Sequence, residues 1–302
     1  MGGGDARLVA VTGSTGLIGR SLCARLVGGG FRVRRLVRRA ARRADETSWD
    51  PSAARLDSAV FDGVDAVVHL AGENLSAGRW TRLRKESLLR SRVEGTGLLA
   101  RTLAALPRPP GVLLSASAVG WYGDRGDEEL DESSAPGSGF LADVCARWEA
   151  ATEPARDTGI RVVLLRSGVV LSGDGGALPR MARPFRLFAG GRVGSGRQWV
   201  SWIAREDAVG AILHLLSAGE VSGPVNLVAP QPTTNAELSR AIGRALHRPC
   251  WLPVPRFALR LAFGEMADVV LGSTRVLPRR LTASGYAFRC PNLAATLATE
   301  LG

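Results

Sequence analysis

The sequence predicts an α/β protein: a Rossmann-type, doubly wound parallel sheet with a smaller C-terminal lobe. Three observations carry this. Short, continuously apolar runs alternate with helix-length segments, the pattern that β-α-β units require. The first run ends in a glycine loop, Gly13-Ser14-Thr15-Gly16-Leu17-Ile18-Gly19, which opens a helix. The 302 residues, 45% hydrophobic, suffice to bury a full core in one large domain or in a domain with an appendage.

Taken in order, residues 8–11 read as the first strand and 17–26 as the first helix, ended by Gly28-Gly29-Gly30. Residues 31–37 form a second strand and 66–70 another. A long helical pattern covers 80–106 and stops at Pro107 and the Pro109-Pro110 pair. Residues 112–115 read as a buried strand, 145–156 as a helix and 162–166 as a further strand. Parallel strands covered on both faces should be apolar throughout, and these are. Beyond residue 170 the chain becomes rich in glycine, proline and arginine. A strand at 199–203, a helix from Ala208 and a strand at 225–228 follow. Thr234 and Glu237 have the spacing of a capping box at the start of another helix. A helix-like pattern over 257–271 lies in a proline-marked final region. The expected division is a nucleotide-binding core at 1–170 to which 199–228 returns, mixed core and lobe segments at 171–249, and a small C-terminal domain at 250–302.

The formal net charge is +11, yet Lys85 is the one lysine, and arginine supplies the other 38 of the 39 basic residues. Arginines spread this evenly suit a solvated surface, so neither nucleic acid nor a membrane is the expected partner. Cys23, Cys145, Cys250 and Cys290 are far apart and contain no C-x-x-C, which suggests neither a metal site nor a disulfide framework. No run approaches the ~18 apolar residues of a membrane span, and no apolar signal core is present. The expected location is the cytoplasm. Substrate and oligomeric state are not assigned.

The glycine loop is the first candidate site. Gly13 suits the tight turn, Gly16 the close approach of backbone to a diphosphate, and Gly19 the contact between helix and strand. Thr15, Leu17 and Ile18 complete the turn at the helix N-terminus, whose amides favour anions. An NAD site wants a carboxylate ~20 residues further on for the ribose 2′-hydroxyl. Here no Asp or Glu occurs between Asp5 and Asp45, while Arg32, Arg34, Arg35, Arg38, Arg39, Arg42 and Arg43 crowd that stretch. Arg38, just past Leu36-Val37, is best placed to fork onto a 2′-phosphate. NADP is therefore the expected cofactor.

Later motifs add to the glycine loop. They are Asp65-Ala-Val-Val-His-Leu-Ala-Gly72, Leu114-Ser-Ala-Ser117, Leu165-Arg-Ser-Gly-Val-Val-Leu171, Trp202-Ile-Ala-Arg-Glu-Asp207 and Gly223-Pro-Val-Asn226. Together they resemble the extended short-chain dehydrogenase/reductase superfamily, which contains the nucleotide-sugar epimerases. Ala71-Gly-Glu-Asn74, Arg79-Trp80, Ser91-Arg92, Phe140-Leu-Ala142, Trp148-Glu149 and Gly264-Glu-Met-Ala-Asp268 are closer to one atypical branch. That branch consists of epimerase-family proteins of unknown activity, with a C-terminal domain of unknown function. The resemblance implies that Leu70, Ala71 and Gly72 line the adenine-ribose side, that Arg92 faces the cofactor and that Val170 closes over the nicotinamide.

It also implies a Ser-Tyr-Lys set, of which only the serine position, Ser117, is retained. The tyrosine position falls on Leu141 and the lysine position on Cys145. The count of residues agrees, because four positions beyond Tyr122 and Tyr286 lie Gly126 and Cys290 rather than lysine. Losing general acid–base catalysis forfeits ~10²–10⁴-fold in rate. Tyr122 and Glu73 are possible substitutes, or else a packed loop aromatic and a helix-capping group. Cys145 is a reactive thiol or a small buried hydrophobe. His69, within a strand, reads as a core histidine, and His214 and His247 have no ligand partners at metal spacing. Two functions fit: an NADP(H)-dependent oxidoreductase or epimerase-like enzyme for a small polar substrate, and an NADP(H)-binding sensor or interaction module without turnover.

Overall fold

The computed structural model describes residues 6–75 and 78–302. The chain runs β1 (Leu8–Thr12), α1 (Leu17–Gly28), β2 (Arg32–Val37) and β3 (Glu46–Ser48). Then come β4 (Ala66–His69), α2 (Arg82–Ala104), β5 (Val112–Ala118), β6 (Glu129–Leu130), α3 (Phe140–Ala150), α4 (Glu153–Asp157) and β7 (Arg161–Ser167). Next are β8 (Val169–Leu171), α5 (Leu178–Arg186), β9 (Trp199–Val200), β10 (Trp202–Ala204), α6 (Arg205–Ser217) and β11 (Gly223–Leu227). The remainder holds β12 (Thr233–Thr234), α7 (Asn235–Ala245), α8 (Arg256–Phe263), α9 (Asp268–Leu271), β13 (Arg275–Val276), α10 (Arg279–Ala283) and α11 (Leu293–Leu301).

Seven parallel strands form the central sheet in the order β11-β7-β5-β4-β1-β2-β3. Its strands look uniformly apolar because successive side chains enter two different cores. Val9, Val11, Val68, Leu114, Leu165 and Leu227 face α1 and α6, where they meet Leu22, Leu26, Ile212 and Leu215. Ala10, Val67, Leu113 and Leu164 face the other way, toward Leu99 and Leu103 of α2 and Ala155 of α4. Strand order reverses between β1 and β4, and in such sheets the crevice at the strand C-termini at this switch is the ligand site.

β11 completes the sheet at one edge, and that edge is closed to further pairing. Pro224 has no N–H to offer, the Asn226 amide donates to Glu132 Oε1 (3.0 Å), and Arg280 donates to the Pro224 carbonyl (2.9 Å). A second layer of packing joins α5, α7 and α11 around Leu171, Leu178, Phe185, Trp202, Leu238 and Leu297. The C-terminal segment is tied back by Asp207 of α6. Its buried carboxylate accepts from Tyr286 Oη (2.9 Å) and from the Arg289 and Cys290 amides (2.8 Å each). No helix of the described residues is long and apolar enough to cross a membrane.

Three element boundaries differ informatively from the sequence reading. The helix expected over 145–156 starts earlier, at Phe140, and breaks at Thr152, whose hydroxyl donates to the Glu149 carbonyl just before α4, which holds Pro154 in its first turn. The pattern over 257–271 is cut by Gly264, at φ 61°, into α8 and a shorter α9. The long helix starts at Arg82, with the Thr81 hydroxyl accepting from the Arg84 amide. The capping box at Thr234 and Glu237 forms as its spacing predicts.

Asp207→Ala is expected to cost about 3 kcal/mol, because it leaves the Arg289 and Cys290 amides without their acceptor and the Tyr286 phenol with only the Asp207 carbonyl. Urea denaturation should show this loss, and a shift within error would remove Asp207 as the anchor of the C-terminal segment.

Candidate functional site

The glycine loop lies at the switch point. Gly13, at φ 66°, turns directly beneath the end of β4: a Cβ there would be 2.7 Å from the Leu70 carbonyl. A Cβ on Gly19 would lie 2.2 Å from the Gly13 oxygen, so helix and loop touch backbone to backbone. Gly16 caps α1 without a side-chain hydrogen bond, and the first turn carries no acid. The amides at this helix start therefore keep their preference for an anion. Thr15 and Gly16 are exposed, Leu17 and Ile18 half-buried. Beside them the buried Ser14 Oγ has no hydrogen-bond partner among the described residues.

Behind the loop lies a rigid polar relay. Thr12 Oγ1 accepts from the Leu70 and Ala71 amides (3.2 Å each) and bonds His69 Nδ1 at 2.7 Å. His69 Nε2 meets Thr96 Oγ1 at 3.0 Å, and Trp148 Nε1 donates to the same hydroxyl. Complete burial lowers the His69 pKa to about 4, so the ring is neutral and structural. In front, the 173–177 turn covers Leu17. A Cβ on Gly176 would be 3.0 Å from a Leu17 methyl and 3.8 Å from the Val170 carbonyl. Glu300 accepts from the Gly173 amide (2.6 Å), and Asp174 pairs with Arg205, so the start of this turn is held twice.

The arginines at the end of β2 separate into tied and untied groups. Arg35 pairs with Asp45, and Arg39 forks onto Glu46 at 2.7 and 2.9 Å. The Arg39 hydrogen bond and the Arg42 amide hold the Glu46 carboxyl at about 2. Arg34 donates to the Val60 carbonyl and Arg32 to that of Ala6. Arg38 is exposed, with neither hydrogen bond nor ion pair among the described residues.

Arg92 reaches back under the β4 exit. Its guanidinium donates to the Glu73 carbonyl (2.9 Å) and the Leu88 carbonyl (3.1 Å), and lies 5.0 Å from the Trp148 ring. A Cβ on Gly72 would touch it at 3.7 Å, so Arg92 props the segment that carries Leu70, Ala71 and Gly72. The Glu73 side chain accepts from Ser87 (2.7 Å) and pairs with Arg84, and these bonds hold its carboxyl below the usual range. Across the cleft, Lys85 bonds Glu265 at 2.7 Å, and Arg79 lies against Gly264.

Ser117, the retained catalytic position, is 2% exposed, and its hydroxyl donates to Glu149 Oε1 at 2.6 Å. Arg166 forks onto the same carboxylate at 2.8 Å through Nε and Nη2. Its third nitrogen donates to Tyr122 Oη (3.1 Å), which donates in turn to Asn226 Oδ1 (2.7 Å). The Trp121 ring covers the guanidinium at 4.0 Å. Ser117, Arg166 and Asn226 are direct cross-strand neighbours on β5, β7 and β11, so one row of the sheet carries the whole network. Tyr122 is thus a packed aromatic. Leu141 and Cys145 face Gly120, and burial pushes the Cys145 thiol up to about 12. Sequence reasoning assigned no role to Glu149, Arg166 or Asn226, although an arginine and an amide inside apolar strands were the available signal for the last two. Among the described residues no cluster of His, Cys, Asp and Glu could hold a metal.

Comparison with known proteins agrees with this geometry. The family model described as NAD dependent epimerase/dehydratase matches residues 9–227, and a domain of unknown function, DUF1731, matches 254–300. Epimerase family protein Mb2239 of Mycobacterium bovis is 45% identical over 282 residues, 93% of each chain. Epimerase family protein SDR39U1 of Bos taurus is 39% identical over 294 residues, covering 96% of this chain and 98% of the relative. A crystal structure of human epimerase family protein SDR39U1 (isoform 2) with NADPH superposes with a TM-score of 0.89 at 36% identity, covering 97% and 98% of the two chains.

Two tests address the buried network and the relay. Glu149→Ala should cost about 3–5 kcal/mol by stranding the Arg166 charge, while pairing Glu149→Met with Arg166→Met should recover most of it. Urea unfolding of both variants checks this, and equal losses would contradict it. Between pH 6.5 and 4 the unfolded chain protonates His69 and the native protein does not, so stability should fall as pH drops through that window. The loss amounts to about 3 kcal/mol at 1.36 kcal/mol per pKa unit. It should disappear in His69→Gln, and an unchanged pH profile in that variant would assign the acid sensitivity elsewhere.

Proposed function

The chain belongs to the NAD dependent epimerase/dehydratase family, and from that premise we propose that it binds NADP(H) and presents it to a small polar substrate. The observation that carries this reading is the pairing of an uncapped, acid-free helix start at Gly16 with the unpartnered Arg38. The amides of α1 receive the diphosphate, and Ser14 Oγ supplies a polar group that has no other partner. Arg38 receives the 2′-phosphate, a fork-on-phosphate contact that a ribose hydroxyl cannot match. Leu70, Ala71 and Gly72, propped by Arg92, form the adenine-ribose side, and Leu17 and Val170 share a wall below the 173–177 turn. Human SDR39U1 crystallised with NADPH, at 36% identity, supports the same cofactor here.

When bound, the nicotinamide supplies hydride transfer. The residues around Ser117 do not supply the proton chemistry of a Ser-Tyr-Lys set. Leu141 carries no proton, Cys145 stays a thiol, and the Ser117 hydroxyl is committed to Glu149. These facts favour a second reading, in which the protein is an NADP(H)-responsive module without turnover. A cytoplasmic location belongs to both readings and is supported by four cysteines that remain free thiols.

Calorimetric titration should show NADPH binding roughly 10- to 100-fold tighter than NADH, the worth of a charge-assisted contact. Arg38→Ala should bring the two affinities together, and equal affinities in the unaltered protein would refute the 2′-phosphate assignment. Loss of NADPH absorbance with a panel of small carbonyl compounds, abolished in Ser117→Ala, would establish the enzyme. No oxidation with any of them leaves the module.

A further inference from the structure

The ends of α5 and α7 meet at a surface corner remote in sequence from the nucleotide loop. Both helices stop on a non-glycine residue in the left-handed conformation, Phe188 at φ 58° and His247 at φ 53°. That conformation costs ~1–2 kcal/mol for an L-residue, so the surrounding bonds must enforce it. They do so at both ends. Phe188 and Ala189 donate to the Phe185 and Pro184 carbonyls, and His247 and Arg248 donate to those of Arg244 and Gly243 (2.8–3.1 Å). The turns project an aromatic and an imidazole outward rather than the usual glycine.

Trp251 is then tied to the Phe188 backbone. Its Nε1 donates to the Phe188 carbonyl at 2.9 Å, across 63 residues of sequence, and its amide donates to Gly190. The two side chains stay 66% and 57% exposed despite these constraints, so two large ring systems stand fixed at the surface. The Arg248 guanidinium lies 4.6 Å from the Phe188 ring. Alongside is a concave site of about 430 Å³ lined by Arg240, Gly243, Arg244, His247, Arg248 and Cys250. No carboxylate lines it, and none of its arginines forms an ion pair among the described residues. The sequence around it is equally one-signed: no Asp or Glu occurs from 238 to 264 or from 175 to 205.

We propose that this corner is a binding site for single-stranded nucleic acid, whose phosphates enter the Arg240–Arg244–Arg248 concavity while bases stack on Trp251 and Phe188. The combination decides among anionic partners. An acidic peptide or an anionic bilayer answers to the charge, but neither joins regularly spaced phosphates to a flat ring at every repeat. Single strands need both a basic groove and a stacking platform, and every base has a π-face to stack. The sequence argued against nucleic acid because its arginines are spread along the chain, and the approach of Trp251 to the Phe188 backbone, 63 residues away, arises only in the folded chain. No residue of this corner belongs to the Gly13–Gly19 loop, so the proposal does not depend on the cofactor reading.

Fluorescence anisotropy with labelled oligo-dT and oligo-U of about 20 nucleotides, long enough to span one basic groove, tests this on the full chain. Binding is expected, with log Kobs falling against log salt at a slope of about −2, the value for three phosphate contacts on a single strand. The double variant Arg244→Ser/Arg248→Ser should weaken binding at least roughly tenfold and flatten the slope. Trp251→Ala should weaken it by about tenfold with the slope retained. Unaltered thermal melting would show that both variants are folded. Absence of binding at low salt, undiminished binding in either variant, or equal binding to polyglutamate or to phosphatidylglycerol vesicles would each overturn the proposal.

Discussion

The buried pair between Glu149 and Arg166 is the constraint around which the rest is arranged. Two charges removed from water cost several kcal/mol each, and attraction compensates only when every remaining donor and acceptor is used. Here each is used. The carboxylate takes two guanidinium bonds and one from Ser117, and the third guanidinium nitrogen finds Tyr122. Satisfying this one pair fixes α3 against β5 and β7 and places the Val119–Tyr122 turn. Through Asn226 and Glu132 it also locks β11 and the start of α10. The C-terminal lobe is thus hung from the sheet by polar bonds in its least hydrated region.

This arrangement gives the serine at the family's position a structural partner. Ser117 lies at the strand position where the resemblance expects a catalytic hydroxyl, but its neighbour is a carboxylate one helical turn beyond Cys145. Leu141, Cys145 and Glu149 are spaced four residues apart along one face of α3, so the helix face that would carry a phenol and an ammonium carries a methyl group, a thiol and an anion. The anion is neutralised from the sheet by Arg166 rather than from the cleft.

The parts legible in the sequence were those encoded locally. The apolar strands, the glycine loop and the Thr234 capping box each follow from residues a few positions apart, and each stands where that spacing puts it. Arg38 was separable from its neighbours by position, but its isolation was not, because Asp45 and Glu46 return through β3 to bind Arg35 and Arg39. The helix over 140–150 was misplaced because its break depends on one threonine hydroxyl turning back on the helix just before Pro154. Glu149, Arg166 and Asn226 sit on a helix and two strands, and no local pattern could reveal that sheet order brings Arg166 and Asn226 into one row with Ser117, where Glu149 meets them.

The 173–177 turn over Leu17 has a consequence for how a ligand bears on stability. The Gly13–Gly19 loop closes on itself through contacts a few residues long, but the turn above it is held by Glu300, 127 residues from Gly173. Closing a long loop costs more entropy than closing a short one, so the cover costs the chain more to close than the glycine turn does. A dinucleotide held by both would shift the equilibrium toward the finished molecule alone. The ligand thereby acts as a clamp on the completed fold, leaving half-assembled forms unaided.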